Sequence, residues 1–204
     1  MSFLKEKLSS HDLKERIIYS LFIFFVLFIS ITILSYYILP QGILKGKIPS
    51  SNVEVSNNLV ISTLRIFAVN LISVIFIFIG SLFNQKRNGE KNYYSIAYNV
   101  FFMLISINAI TLGTWSFSVE TQAPSLIDRL LGMFNIIKRA GLWEIIGQLF
   151  ITCSISHIGL LLTNDKETIT RSIKSIKLSK SEIVCIILGF IFMLIGALVE
   201  SIAI

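Results

Sequence analysis

Three ionisable side chains interrupt long apolar stretches of this sequence: Arg65, Glu144 and Glu200. A charge at the centre of a bilayer costs roughly 2.5–3.5 kcal/mol on insertion scales, so each needs a partner or a task. Polar and small neighbours extend these positions along helix faces. Glu144, Gln148 and Thr152 follow at steps of four, and Gly189, Gly196 and Glu200 fall within about 40° of one another. Ser62, Arg65, Val69 and Ser73 share a further face, and Asn99, Ser106, Asn108 and Thr111 offer another polar set. With the stretches read as membrane spans, all three charges fall about 4–8 Å beneath one boundary at 1.5 Å per residue. This predicts one intramembrane cluster of Arg65, Glu144, Gln148 and Glu200. It suits a polar gate or ligand cradle, or an ion-pair clamp that orders the bundle. A proton relay is the weaker chemistry, because no histidine aligns with the cluster.

His157 lies in the segment CSISH beside Ser154 and Ser156. A serine and a histidine hint at a hydrolase, but such a pair must meet at hydrogen-bond distance near an oxyanion hole. Ser154, three residues earlier, can face His157, yet nothing in the sequence supplies that hole. His157 is read as a packing or interfacial residue and no catalytic residue is assigned. Cys153 and Cys185 lie in apolar blocks without metal-ligand spacing, so they read as packing residues, and neither metal nor cofactor is expected. No Walker A pattern, nucleotide-binding glycine fingerprint or H-E-x-x-H occurs. If ATP drives this protein, a separate subunit hydrolyses it.

The elements that would carry these residues are membrane helices. Charged residues make up 15% of the chain and mean hydropathy is +0.78, too apolar for an ordinary soluble surface. The apolar residues come in blocks long enough for the roughly 30 Å hydrocarbon core. Five spans are predicted, at 17–39, 60–83, 94–117, 141–163 and 182–204, in an all-α bundle. Residues 1–16 form a charged, weakly amphipathic lead. The first block is longer than a typical signal-peptide core and no A-x-A-like site follows, so it reads as an uncleaved anchor. Between the third and fourth spans, residues 124–138 carry apolar residues at helical spacing but are too short to cross. They read as an interfacial or re-entrant helix.

Loop charges set the orientation. Lys5, Lys7, Lys14, Arg16, Lys86, Arg87, Lys91, Lys166, Arg171, Lys174, Lys177 and Lys180 fall on one side. Lys45, Lys47, Arg129, Lys138 and Arg139 fall on the other. The positive-inside rule then puts the N-terminus in the cytoplasm and the C-terminus at the outer face of the cell membrane. The same rule accounts for the net charge of +6 without a nucleic-acid partner. Loop 164–181 offers Arg171, Lys174 and Lys177 to a cytoplasmic partner, or to anionic lipid.

Four short segments, in order, resemble the stage II sporulation protein M family of small five-span membrane proteins. They are RIFAVNL (Arg65–Leu71), SINAITLG (Ser106–Gly113), RAGLWEIIG (Arg139–Gly147) and GALVESI (Gly196–Ile202). Ala140 and Ala109 stand where the family tends to have His and Gly. The resemblance covers roughly residues 60–204 and implies a helical bundle with Glu144 and Glu200 as the two family glutamates. It also implies a non-enzymatic part of a multisubunit system. Relatives encoded beside circular bacteriocins and ATP-binding subunits are associated with peptide export or producer immunity. The sporulation members act in a complex with peptidoglycan-degrading enzymes. The leading expectation is therefore the membrane subunit of an ATP-driven exporter or immunity complex for a hydrophobic peptide. The alternative is a membrane scaffold that organises cell-wall hydrolases or another membrane complex.

Overall fold

Asp12 divides the lead from the first long helix. Its carboxylate accepts the Lys14 amide, an N-cap that satisfies one of the free N–H groups of a new helix. The computed structural model describes residues 2–47, 58–87, 90–117, 123–135, 140–165 and 167–203. In it a short helix α1 (Ser2–Leu8) precedes α2 (Leu13–Ile38), then α3 (Leu59–Ser81) and α4 (Ile96–Gly113). A two-turn helix α5 (Leu126–Met133) leads to α6 (Gly141–Ile155), and α7 (Lys180–Ala203) closes the fold. Asn58, Ser95 and Ser125 cap α3, α4 and α5 in the same manner as Asp12.

Four of these helices, α2, α3, α4 and α7, are long and apolar enough to cross a membrane. Each also carries large apolar side chains on an exposed face. On α2 the buried positions are Arg16, Ser20, Phe24, Phe28, Thr32 and Ser35, while Ile18, Phe22, Val26 and Leu34 are exposed. An inner face that mixes polar residues with two phenylalanines, under an outer face of large apolar ones, is the pattern that lipid, and not water, would cover.

The predicted fourth span, 141–163, is helical only as α6, 15 residues long. It stops because its end finds other partners. Ser154 and Ser156 turn their hydroxyls back onto Phe150 O (2.8 Å) and Cys153 O (3.1 Å), a bonding pattern that loosens the helical ladder. The amides of Leu160 and Leu161 then donate to Leu82 O, drawing the chain into a sheet. That sheet was not expected from the sequence. Its strands are β1 (Phe83–Lys86), β2 (Tyr94–Ser95), β3 (Leu161–Asn164) and β4 (Thr168–Thr170), in the order β2-β1-β3-β4. β1 pairs parallel with β3, Phe83 against Leu161, and the outer pairs are antiparallel.

The sheet fixes one end of the bundle. The starts of α2, α4 and α7 and the ends of α3 and α6 gather there, with α1 tied on by Lys5 to Glu90 (3.7 Å). Helix axes approach closely further along. A Cβ on Gly147 would stand 2.5 Å from Gly189 O, and one on Gly189 would stand 2.7 Å from Gly147 O. α6 and α7 therefore cross with backbones in contact, as small residues permit. Gly113 does the same for α4 and α2, where a Cβ would meet Ser35 Oγ at 2.0 Å.

The predicted helix over 124–138 is found as α5, shorter at both ends; residues 136–138 lie outside the described residues. α5 leans inward from the far end. Arg129 stacks on Tyr36, near the end of α2, whereas Phe134, just past α5, stacks on Phe25 in the middle of α2.

Candidate functional site

Asn70 stands at the midpoint of α3, roughly 16 Å from either end at 1.5 Å per residue. Its amide donates a short hydrogen bond to Glu144 Oε1. Glu144 occupies the first turn of α6, where the exposed N–H groups of a helix favour a carboxylate. The first turn of α6 therefore brings Glu144 against the midpoint of α3 on one side and opposite Gly196, toward the far end of α7, on the other. Gly196 of α7 supplies the room: a Cβ there would come within 2.7 Å of Glu144 Cγ. Glu200 lies one turn further along α7 and acts electrostatically on Glu144. Gln148 is buried one turn below Glu144, and Thr152 is fully buried below that. Arg65 sits on an exposed face of α3, more than one turn from Asn70 toward the far end. Of the predicted polar stripe on α6, Gln148 and Thr152 are buried, and the part-buried Glu144 meets α3 through Asn70, which shares no face with Arg65.

A second polar cluster closes the sheet end, and it was not anticipated. Arg16, which the loop-charge count groups with the lysines of the lead, is 2% exposed. Its Nη2 donates to Glu182 Oε1 at 2.5 Å and its Nη1 to Ser156 Oγ at 3.0 Å. Tyr98 donates to the same Ser156 oxygen at 3.3 Å. Glu182 Oε2 accepts from the Ser179 amide and hydroxyl, at 2.8 and 2.9 Å, so both of its oxygens are occupied. His157 Nδ1 lies 3.2 Å from Glu182 Oε1 and 3.3 Å from Arg16 Nη1. It serves one of these at a time: Nδ1 donates to the carboxylate when it carries the ring hydrogen, and accepts from the guanidinium when Nε2 carries it. Asn84 joins from β1, its amide donating to Ser156 O at 3.1 Å. Five helix ends are thereby joined through buried polar contacts, which are strong when desolvated and costly when broken.

The Ser154 and His157 side chains do not form a pair. Ser154 is buried and bonds to Phe150 O, whereas His157 turns to Arg16 and Glu182. Cys153 is buried beside Ser20, its thiol 3.3 Å from that hydroxyl, and Cys185 is buried against α6. Both match the packing role expected of them.

Loop 164–181 divides into two parts. Arg171 and Lys177 turn toward a cavity beside the Arg16 cluster. Lys174 lies in an exposed 3₁₀ turn, Ile173–Ser175, next to Ile173, which is 74% exposed, and near the exposed Ile169. On the lead, Lys7 Nζ donates to Glu15 at 2.8 Å, and this hydrogen bond raises the Lys7 ammonium pKa above its ordinary range.

The far end has a clamp of its own. Arg129 is 1% exposed, donates to Gly113 O and to Pro124 O (2.9 Å), and stacks on Tyr36 and Trp115 at 4.8 and 5.4 Å from the ring centres. It satisfies carbonyls left open where α4 ends.

The chain matches no family model, no curated protein and no solved structure. Among the described residues no group of His, Cys, Asp and Glu is arranged to hold a metal ion.

Proposed function

We propose that this chain is a five-pass membrane subunit of a multisubunit system, the membrane component of an ATP-driven exporter or immunity complex for a hydrophobic peptide. One observation carries the reading. α5 leans inward from the far end and α6 then starts afresh opposite Gly196, short of the end of α7; in this reading the fourth crossing is a broken helix, and its first turn places Glu144 where it bonds Asn70. Transporters build their midplane sites from discontinuous helices, because backbone freed from the helical ladder is tolerated at membrane depth only where protein or a cavity receives it. In this reading Glu144, Asn70, Gln148 and Glu200 form the gating or substrate-contacting set, and the sheet end faces the cytoplasm with its basic loops.

Energy coupling then falls to a partner. The parallel pairing of β1 with β3 ties Phe83–Lys86 to Leu161–Asn164, and the turn bearing the exposed Ile173 and Lys174 follows on the same side. A cytoplasmic ATP-binding subunit docking there meets both an apolar and a basic contact. The resemblance to the stage II sporulation protein M family supports the same assignment.

A gentle-detergent pull-down of the tagged protein tests it. An ATP-binding subunit recovered in stoichiometric amount, and lost on Ile173→Asp with Lys174→Glu, is the expected result. Recovery of cell-wall hydrolases without any ATP-binding subunit would replace this reading with the scaffold.

A further inference from the structure

A cavity of about 420 Å³ opens at the sheet end between the lead, β1 and loop 164–181. Its lining is unusually one-sided. His11, Arg16, Lys91, His157, Arg171 and Lys177 contribute cationic or imidazole groups, and Glu182 is the only carboxylate among the described lining residues. That carboxylate is already spent: Arg16 and His157 meet one oxygen and Ser179 meets the other. Lys91 faces Glu6 at 3.7 Å, a contact with both side chains more than half exposed and therefore weak. Arg171 and Lys177 have no carboxylate partner among the described residues. Arg171 donates only a long bond, 3.4 Å, to His157 O, so most of its guanidinium donors remain available. The buried Arg16 adds an Nε without a hydrogen-bond partner among the described residues. Ser9, Ser10 and Asn92 add neutral donors to the same wall.

The depth of the cavity selects among anions. Arg16 opens α2, Glu182 opens α7, Asn84 follows α3 and His157 follows α6. The cavity therefore sits where the apolar faces of the bundle end, at headgroup level once lipid covers those faces. The volume falls in the range of small-ligand sites, and basic pockets at this level suit phosphate-bearing headgroups. We propose that the cavity binds a phosphate ester, the headgroup phosphate of an anionic phospholipid in the leaflet on the sheet side, through Arg171 and Lys177. The proposal rests on the membrane reading alone and stands whether or not the protein exports a peptide.

The test is equilibrium binding to the purified full chain in neutral detergent, with fluorescent short-chain phosphatidylglycerol, the same label on phosphatidylcholine, and inorganic phosphate as probes. Phosphatidylglycerol should bind saturably and about tenfold tighter than phosphatidylcholine. Arg171→Gln with Lys177→Gln should weaken it about tenfold or more, while Lys45→Gln, exposed at the far end, should leave it unchanged. Circular dichroism checks that the double variant keeps its helices; should it not, Lys177→Gln alone should weaken binding in the same direction. Equal binding of the two lipids, or a variant that binds as the parent does, would overturn the proposal. Saturable binding of inorganic phosphate that the double variant loses, with no preference between the lipids, would overturn the lipid source and assign the site to a soluble phosphate ester.

Discussion

Arg16 and Glu182 are 166 positions apart in the chain and 2.5 Å apart in the folded protein. Each opens a long helix, and their pairing locks the start of α2 to the start of α7. Both are almost fully buried, so the energetic weight of the pair lies in what its loss would leave behind.

Removing one partner strands the other. Arg16→Met or Glu182→Met is expected to cost about 3–5 kcal/mol, whereas the double replacement should recover most of the loss because no buried charge remains. Thermal unfolding of the four proteins in one detergent, read as a double-mutant cycle, measures this. Additive losses would show that the two side chains act independently.

The backbone contact between α6 and α7 gives a second expectation. Gly189→Val places side-chain carbons against Gly147 O and Ile151, and should lower stability by about 1–3 kcal/mol. Gly141→Ala meets nothing within 4 Å and should be neutral or slightly stabilising. Melting temperatures that move alike in the two variants would contradict the close crossing.

Glu144 separates a working site from a clamp. Glu144→Gln keeps the shape and a hydrogen-bonding partner for Asn70, so its effect on stability should stay near the roughly 0.6 kcal/mol typical of intramembrane hydrogen bonds. Transport or immunity in cells should nevertheless fall strongly. A variant that is unstable yet active in proportion to its abundance would make Glu144 a structural residue.

Arg129→Lys tests the far-end clamp. Lysine keeps the charge but loses the planar fork and the stacking on Tyr36 and Trp115. A loss of about 1.5–3 kcal/mol is expected, the range for a charged hydrogen bond. Stability equal to the parent in a melting experiment would show that charge alone suffices there.

Much of the helical arrangement was legible because lipid imposes a simple length rule. The spans over 17–39, 60–83, 94–117 and 182–204 match α2, α3, α4 and α7 to within a few residues at most ends. The stripe Glu144, Gln148, Thr152 was also readable, since the step of four defines a face. The end of α6 was not. Leu160, Leu161 and Leu162 are as apolar as a helix interior, and only the approach of Leu82 and Asn84 from another loop turns them into a strand. The sheet escaped notice for the same reason: FNQK and LLTN are too short to show a period. Arg16 was misplaced because it borders the apolar block, and a border charge reads as solvent-facing until a partner as distant as Glu182 is known.

The central claim is a five-pass membrane subunit whose sheet end faces the cytoplasm. Single cysteines at Lys45, Thr168 and Ala203, probed with a membrane-impermeant thiol reagent in intact and permeabilised cells, test it directly, because native Cys153 and Cys185 are buried. Labelling at positions 45 and 203 in intact cells, with position 168 reactive only after permeabilisation, is the predicted result. Labelling of 168 and 203 from the same side would contradict the account, since α7 would then fail to cross.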